Sequence, residues 1–376
     1  MASFLSRTDR SRAGRWWWTV DYWALGAIAV LIASGALMSL AASPAVAHRI
    51  GLEPFHFVYK QVTFIIPTVA ILVGVSLLEP KEILKVAAGL FAFAWISMVL
   101  TLFVGSEIKG ATRWLQLGPV GYQPSEFVKP AFVVVSAWAL TANQKSMGLA
   151  GFALACALYA MTAGILILQP DFGQTMLITA AFAGLLFFWG VPWAVIGLCG
   201  AGLAGGAYAA YHLMPHVASR VDRFLDPKTG DSFQIETALA AIAHGGPAGA
   251  GPGEGQLKYT IPDAHADFIF AVAGEEFGLI AGIVLIGAFA LILFRGLHRA
   301  MNERSPFIQL ATGGLLVLFT TQAVINIAVN LNLMPAKGMT LPFVSYGGSS
   351  MLALAITAGM VLALTRKRPG SGIMRL

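Results

Sequence analysis

Four stretches of this chain keep polar and ionisable side chains that their apolar surroundings do not explain. The first runs through Arg113-Trp114-Leu115-Gln116-Leu117-Gly118 to Gln123-Pro124-Ser125-Glu126 and Lys129. Glu126 and Lys129 are three apart and share a helix face. An ionisable group inside an apolar region is a functional candidate by default; a helix-capping ion pair is the alternative. The second stretch is Gln169-Pro170-Asp171-Phe172-Gly173, where Asp171 is either a site residue or a helix N-cap. The third holds Lys258 and then Pro262-Asp263-Ala264-His265-Ala266-Asp267, entering the apolar Phe268-Ile269-Phe270. Partial burial raises a carboxylate's pKa and suits Asp267 to general-base work, with an N-cap again the alternative. The fourth is Lys337-Gly338-Met339-Thr340-Leu341-Pro342 with Ser345-Tyr346-Gly347-Gly348-Ser349-Ser350, irregular backbone that either lines a wet cavity or forms a plain re-entrant loop. Several cations around one boundary carboxylate suit group transfer from a lipid-linked diphosphate. Asp267 would deprotonate an acceptor hydroxyl, while Arg113, Lys129, Lys258 and Lys337 hold the leaving diphosphate.

The elements that must position these groups follow from composition. Of 376 residues, 57% are hydrophobic and 11% charged, against about 25% charged in soluble domains; mean hydropathy is +0.74. A soluble enzyme, a nucleic-acid-binding domain, a disordered tail and a disulfide scaffold are excluded. A polytopic membrane protein remains. Charge-free runs place spans at 22–47, 61–78, 86–106, 130–144, 146–170, 172–219, 277–294, 305–336 and 338–365. The run 172–219 is too long for one crossing and breaks at Gly190-Val191-Pro192, since Pro removes a helical donor. The expectation is an all-α bundle of ten transmembrane helices, residues 22–365, with tails 1–21 and 366–376. Ala45-Val46-Ala47 has the form of a cleavage site, but the apolar stretch before it exceeds a signal h-region, so the first helix is read as retained.

The net charge of +6 is explained by topology before any anionic partner. Ten spans put both termini on one side. That side collects Arg7, Arg10, Arg12, Arg15, Lys81, Lys85, Lys145, Arg295, Arg299, Arg304, Arg366, Lys367, Arg368 and Arg375, mostly in tails and short loops. Both termini are therefore expected in the cytoplasm, with Trp16-Trp17-Trp18 as an interfacial anchor. All four polar stretches fall on the other side. The largest loop there, 213–266 between helices 7 and 8, contains Ile235, Leu239 and Ile242 at helical spacing, which predicts an amphipathic surface helix. Gly245 to Gly255, with six glycines and two prolines, predicts a flexible flap. Glu275 and Glu276 lie deeper and read as structural hydrogen-bonders. Cys156 and Cys199 read as small core residues, and His212 with His216 lacks a third zinc ligand.

These stretches resemble the SEDS family (shape, elongation, division and sporulation): "RWLQLGPVGYQPSEFVK", "LQPDFG", "PDAHADFIFAVAGEEFG" and "PAKGMTLPFVSYGGSS" occur in the family's order and span most of the chain. The Lys-Gly-Met-Thr-Leu-Pro segment, Gly274-Glu275-Glu276 and "FLDP" at 224–227 resemble the division branch more than the elongation branch. The resemblance implies ten helices and a peptidoglycan glycosyltransferase that polymerises lipid II at the division septum, on the outer face of the cytoplasmic membrane. Asp267 matches the family's essential carboxylate. Arg113, Gln123, Ser125, Glu126, Lys129, Gln169, Asp171, His265 and Lys337 match its cavity positions, and Lys258, Ser345 and Ser349 join them as candidate substrate contacts. Ala266 stands where family members often carry Thr. The implied partners are lipid II, membrane lipids, a cognate class B penicillin-binding protein that supplies transpeptidation, and other division proteins, with no nucleic acid. No metal-ligand cluster is legible; a divalent cation, Mg or Mn, is at most a companion of the diphosphate. A lipid II flippase and a non-enzymatic division scaffold are the competing functions. Charged motifs crowded on one face favour the enzyme over a transporter.

Overall fold

The computed structural model describes residues 11–108, 111–118, 120–142, 149–213, 218, 222, 233–335 and 338–367. After a short helix α1 (Arg12–Thr19), the chain forms α2 (Tyr22–Arg49), α3 (His56–Ser76) and α4 (Pro80–Val104). Three short strands follow: β1 (Ser106–Ile108), β2 (Ala111–Leu117) and β3 (Val120–Tyr122). Then come α5 (Pro124–Thr141), α6 (Leu149–Leu168), α7 (Phe172–Trp189), α8 (Trp193–Leu213), α9 (Phe233–Gly245), α10 (Ile269–Met301), α11 (Pro306–Asn330) and α12 (Gly348–Leu364). Eight of these helices are long and apolar enough to cross a membrane, and α12 is a shorter apolar helix. The chain is a multi-pass membrane protein. α5 occupies the predicted fourth span but carries Glu126 and Lys129 in its first turns.

Local chemistry sets the helix ends. Proline opens α4, α5 and α11, where its missing N–H is no loss. α7 stops at Gly190, whose φ of 85° lies in the left-handed region, and α8 starts three residues later, so the break falls where proline and glycine place it. α11 forms the centre of the bundle, packed on α5, α7, α10 and α12. Gly314 admits Leu185 and Val133, which a methyl there would meet at 2.6 and 2.7 Å.

At one end of the bundle Asp21 caps α2, accepting from the N–H groups of Trp23 and Ala24 at 3.0 and 3.2 Å. It also pairs with Arg295 at 3.0 Å and Arg299 at 2.5 Å. Arg299 donates to the Thr365 carbonyl at 2.8 Å. The start of α2 and the end of α12 therefore share a face.

Three features depart from expectation. The chain is not wholly α: β1, β2 and β3 form an antiparallel sheet, with Leu117 opposite Val120 and Gly118 at φ 65° in the turn. Second, α10 outruns the charge-free stretch 277–294: it starts at Ile269, within the apolar Phe268-Ile269-Phe270 that the third polar stretch enters, because Glu275 and Glu276 are buried with partners and do not end the helix. Third, the glycine-rich segment is pinned rather than free. α10 kinks at Gly278 (φ 67°), and the carbonyls of Glu275 and Glu276 accept from Ala250 and Gly251 at 2.8 and 3.1 Å. Leu279 N–H returns a bond to the Gly246 carbonyl at 3.0 Å. A methyl at Gly249 (φ 86°) would stand 2.1 Å from the Glu276 carbonyl oxygen, so the contact requires glycine. α9 forms as predicted, but it buries Thr237, Ala238, Ala241 and Gly245 as its contact face. It packs on α10.

Candidate active site

A cavity of about 620 Å³ opens between α3, the β-sheet, α5, α7, α11 and α12. Of the residues singled out from sequence, Arg113, Gln123, Glu126, Asp171, His265, Asp267 and Ser349 line it. The four polar stretches, far apart in the chain, meet in one wall.

β2 brings Arg113 to the turn between α6 and α7. Its guanidinium donates to the carbonyls of Gln169 at 3.3 Å and Pro170 at 2.5 Å, and lies 3.6 Å from Asp171. Asp171 is the N-cap of α7, accepting from Gln174 N–H at 3.3 Å. Burial pushes its carboxyl above the usual carboxylate range, opposed by Arg113. The N-cap reading therefore holds for Asp171 together with its place in the wall.

It does not hold for Asp267. The N-cap of α10 is Phe268, and no side chain caps that helix. Asp267 is half-buried in the cavity wall. A methyl at Gly338 would stand 3.6 Å from its Oδ2. Its backbone carbonyl accepts from the side-chain amides of Asn326 and Asn330, each at 3.0 Å. Asn326 also donates to the Met339 carbonyl at 2.6 Å, and the Asn330 oxygen accepts from Ala271 N–H at 3.0 Å. Ser345 Oγ donates to the Ala266 carbonyl at 2.6 Å, and Tyr346 N–H to the His265 carbonyl at 2.9 Å. The rings of Phe57, His265 and Tyr346 pack together. Ser345 is thus a buried strut between two loops, not a wall residue.

Of the four cations expected around Asp267, the structure places Arg113 in the wall and buries Lys129 and Lys258 away from it. Lys129 is 2% exposed and sits behind the wall, donating to Glu126 at 2.9 Å and to Gln322 at 3.3 Å. Gln174 closes the other side of Glu126 at 2.5 Å. Lys258 is also 2% exposed, paired with Glu276 and bonded to the Gly253 carbonyl at 3.0 Å, away from the cavity. Beside it Glu275 accepts three backbone N–H groups, from Gln256, Leu257 and Lys258. Gln169 is buried against the Met98 carbonyl and Thr101, and Ser125 is buried at the start of α5. Lys337 lies outside the described residues. Among the described residues, the basic side chains in the wall, setting His265 aside, are Arg113 and Lys60.

Sequence reasoning missed Lys60, which stands one residue before the charge-free run 61–78. It also missed Gln322, Asn326 and Asn330, spaced four apart on one face of α11. An amide at every fourth position of an apolar helix was the available signal. Among the described residues no group of three His, Cys, Asp or Glu gathers to hold a metal ion. The carboxylates of Glu126 and Asp171 face Lys129 and Arg113 instead.

The chain is thus an apolar helical bundle with a half-buried aspartate in the wall of a polar cavity. A family model described as "Cell cycle protein", covering FtsW, RodA and SpoVE, matches residues 22–369. The chain belongs to this family. It is 49% identical over 369 residues to the probable peptidoglycan glycosyltransferase FtsW of Caulobacter vibrioides, covering 97% of this chain and 94% of the relative. It is 35% identical over 364 residues to the protein of the same name from Hydrogenovibrio crunogenus, covering 92% and 91%. The structure matches a chain of a peptidoglycan synthase complex that coordinates polymerization and crosslinking, with TM-score 0.77 and 28% identity over 92% of this chain and 97% of that one. It also matches a variant of the rod shape determining protein RodA of Thermus thermophilus, with TM-score 0.69 and 25% identity over 92% and 97%.

Proposed function

We propose that this chain is a peptidoglycan glycosyltransferase of the division type, which polymerises lipid II and releases undecaprenyl diphosphate. The observation that carries this reading is Asp267: a half-buried carboxylate, not engaged in capping its helix, in a cavity that also presents Lys60 and Arg113. Asp267 takes the proton of an acceptor hydroxyl, the 4-OH of the GlcNAc of lipid II. The freed oxygen bonds to the anomeric carbon of the growing chain's lipid-linked sugar as the bond to the diphosphate oxygen breaks. Donor groups in the wall stabilise the charge that develops on the departing diphosphate. The cavity's low-dielectric surroundings strengthen those interactions.

The topology that goes with this reading has ten spans, the eight long apolar helices plus α5 and α12. Asp21, Arg295, Arg299 and Thr365 lie at the cytoplasmic end, and the cavity faces outward at the septum. The shared face of the α2 start and the α12 end supports an even number of crossings. The partner is a class B penicillin-binding protein, a transpeptidase, in keeping with the synthase complex whose chain this one matches. The test is purified protein with that partner and labelled lipid II in detergent, where no flipping occurs. Glycan polymer supports the enzyme; its absence, with partner and substrate active in a control, returns the reading to flippase or scaffold.

A further inference from the structure

Two walls of the cavity differ in polarity. One wall is the amino end of α12. Gly347, Gly348, Ser349 and Ser350 all line the cavity. Gly347 is extended at φ 172°, and no side chain caps the helix. The first helical bond runs from Met351 N–H to the Gly347 carbonyl at 2.8 Å. The N–H groups of Gly348, Ser349 and Ser350 therefore precede the ladder, and such orphan donors with the helix dipole form an anion site. Ser349 is 6% exposed, and its hydroxyl has no partner among the described residues, unlike Ser350, which bonds Thr340 at 2.9 Å. Gly348 also lies against α3, since a methyl there would strike the Phe64 ring at 2.5 Å. That contact sets α12 beside the helix that carries Lys60.

The α7 wall has the opposite character. Asp171 Oδ2 and Gln174 Oε1 are buried, have no hydrogen-bond donor among the described residues and belong to wall residues. The Gln174 assignment is fixed by chemistry, because its nitrogen must be the atom facing the Glu126 carboxylate. An amide oxygen only accepts, and a carboxylate oxygen accepts while ionised, so this wall disfavours a phosphate and calls for O–H or N–H groups. Arg113 beside them commits two of its five donors to the Gln169 and Pro170 carbonyls and lies 3.6 Å from the Asp171 carboxylate.

We propose that the diphosphate of the lipid-linked substrate seats on the uncapped amino end of α12, with Ser349 and Lys60, while a sugar hydroxyl or N-acetyl N–H seats on Asp171 and Gln174. This rests on the glycosyltransferase reading and moves the diphosphate away from Arg113 and Lys129.

The probe is inorganic pyrophosphate, titrated into detergent-purified full-length protein and followed by ³¹P NMR. Ser349→Asp places a charge that helix starts favour, so the fold is kept while an anion is repelled. It should weaken pyrophosphate binding about ten-fold or more, the loss expected for charge-assisted hydrogen bonds. Lys60→Gln, an exposed substitution, should weaken binding in the same direction, and serves if Ser349→Asp does not fold. Asp171→Asn should leave binding unchanged or tighten it. Equal binding by wild type, Ser349→Asp and Lys60→Gln overturns the proposal, as does loss confined to Asp171→Asn. Wild-type protein that makes polymer from labelled lipid II but binds no pyrophosphate also overturns it, and leaves the glycosyltransferase reading standing.

Discussion

Asn326 on α11 donates its side-chain amide to the backbone carbonyl of Asp267, 3.0 Å away and 59 residues earlier in the chain. The same amide holds the Met339 carbonyl at 2.6 Å, so one side chain joins the two loops that flank the carboxylate. Asn326→Leu should cost about 1–3 kcal/mol of stability by orphaning a buried carbonyl. It should also lower kcat more than it raises KM, because the base is displaced while the substrate walls remain. Thermal melts and lipid II polymerisation kinetics check both. An unchanged kcat would mean that Asp267 is held without this strut.

Lys129 separates a structural role from a substrate contact. Its ammonium meets Glu126 at 2.9 Å with both side chains almost fully buried. Lys129→Met should destabilise the protein by about 3–5 kcal/mol, the usual effect of leaving a buried charge without its partner. Adding Glu126→Gln should restore most of that stability. A Lys129→Met protein of normal melting temperature and impaired polymerisation would instead put Lys129 in the substrate site.

Asp171 should leave a mark on the pH dependence of stability. Burial raises its carboxyl above the usual range, with Arg113 opposing. A group whose folded pKa is raised favours folding in its protonated form. That contribution is complete below the unfolded pKa and is lost as pH rises through the folded one. Asp171→Asn retains the cap, since Asn and Asp cap helices about equally. Its melting temperature should therefore fall less than wild type between acidic and neutral pH. Parallel curves would show that the buried charge is compensated.

How much of this was legible in the sequence depended on whether polar groups were paired within an element or between elements. Apolar runs located the helices well, because a bilayer core demands about 20 apolar residues per crossing. The charge-free run 277–294 understates α10, because Glu275 accepts backbone N–H groups of a loop that no periodicity connects to it. Lys258 and Lys129 read as cavity cations for the same reason: their partners, Glu276 and Glu126 with Gln322, become visible only in three dimensions. Asp267 could be singled out, since an acid bordering an aromatic apolar stretch is costly to keep. The sheet carrying Arg113 was overlooked because its strands are short and interrupt an otherwise helical chain.

The outward orientation proposed for the cavity is open to direct labelling. Glu254 is exposed in the segment pinned over α10. It suits a cysteine better than neighbouring Gly253, whose φ of 89° disfavours any side chain. In a background without Cys156 and Cys199, Glu254→Cys should react with a membrane-impermeant thiol reagent in intact spheroplasts. Reaction only after lysis would invert the topology and place the cavity in the cytoplasm.

Asp267→Asn gives the sharpest division between chemistry and structure. The substitution keeps shape and hydrogen bonding and removes the basic oxygen. Helix capping does not complicate the outcome, because the N-cap of α10 is Phe268. The struts from Asn326 and Asn330 reach the backbone carbonyl of residue 267, not its side chain, so the loop should hold its place. Polymerisation should fall by about 10²–10⁴, the usual contribution of general-base catalysis. Melting temperature should change little, and pyrophosphate affinity should stay within a few-fold of wild type, because the carboxylate acts on the acceptor and not on the diphosphate. A stable Asn variant with near-normal polymerisation would remove Asp267 as the base and move that role to Asp171 or Glu126, the other carboxylates of the wall singled out from sequence.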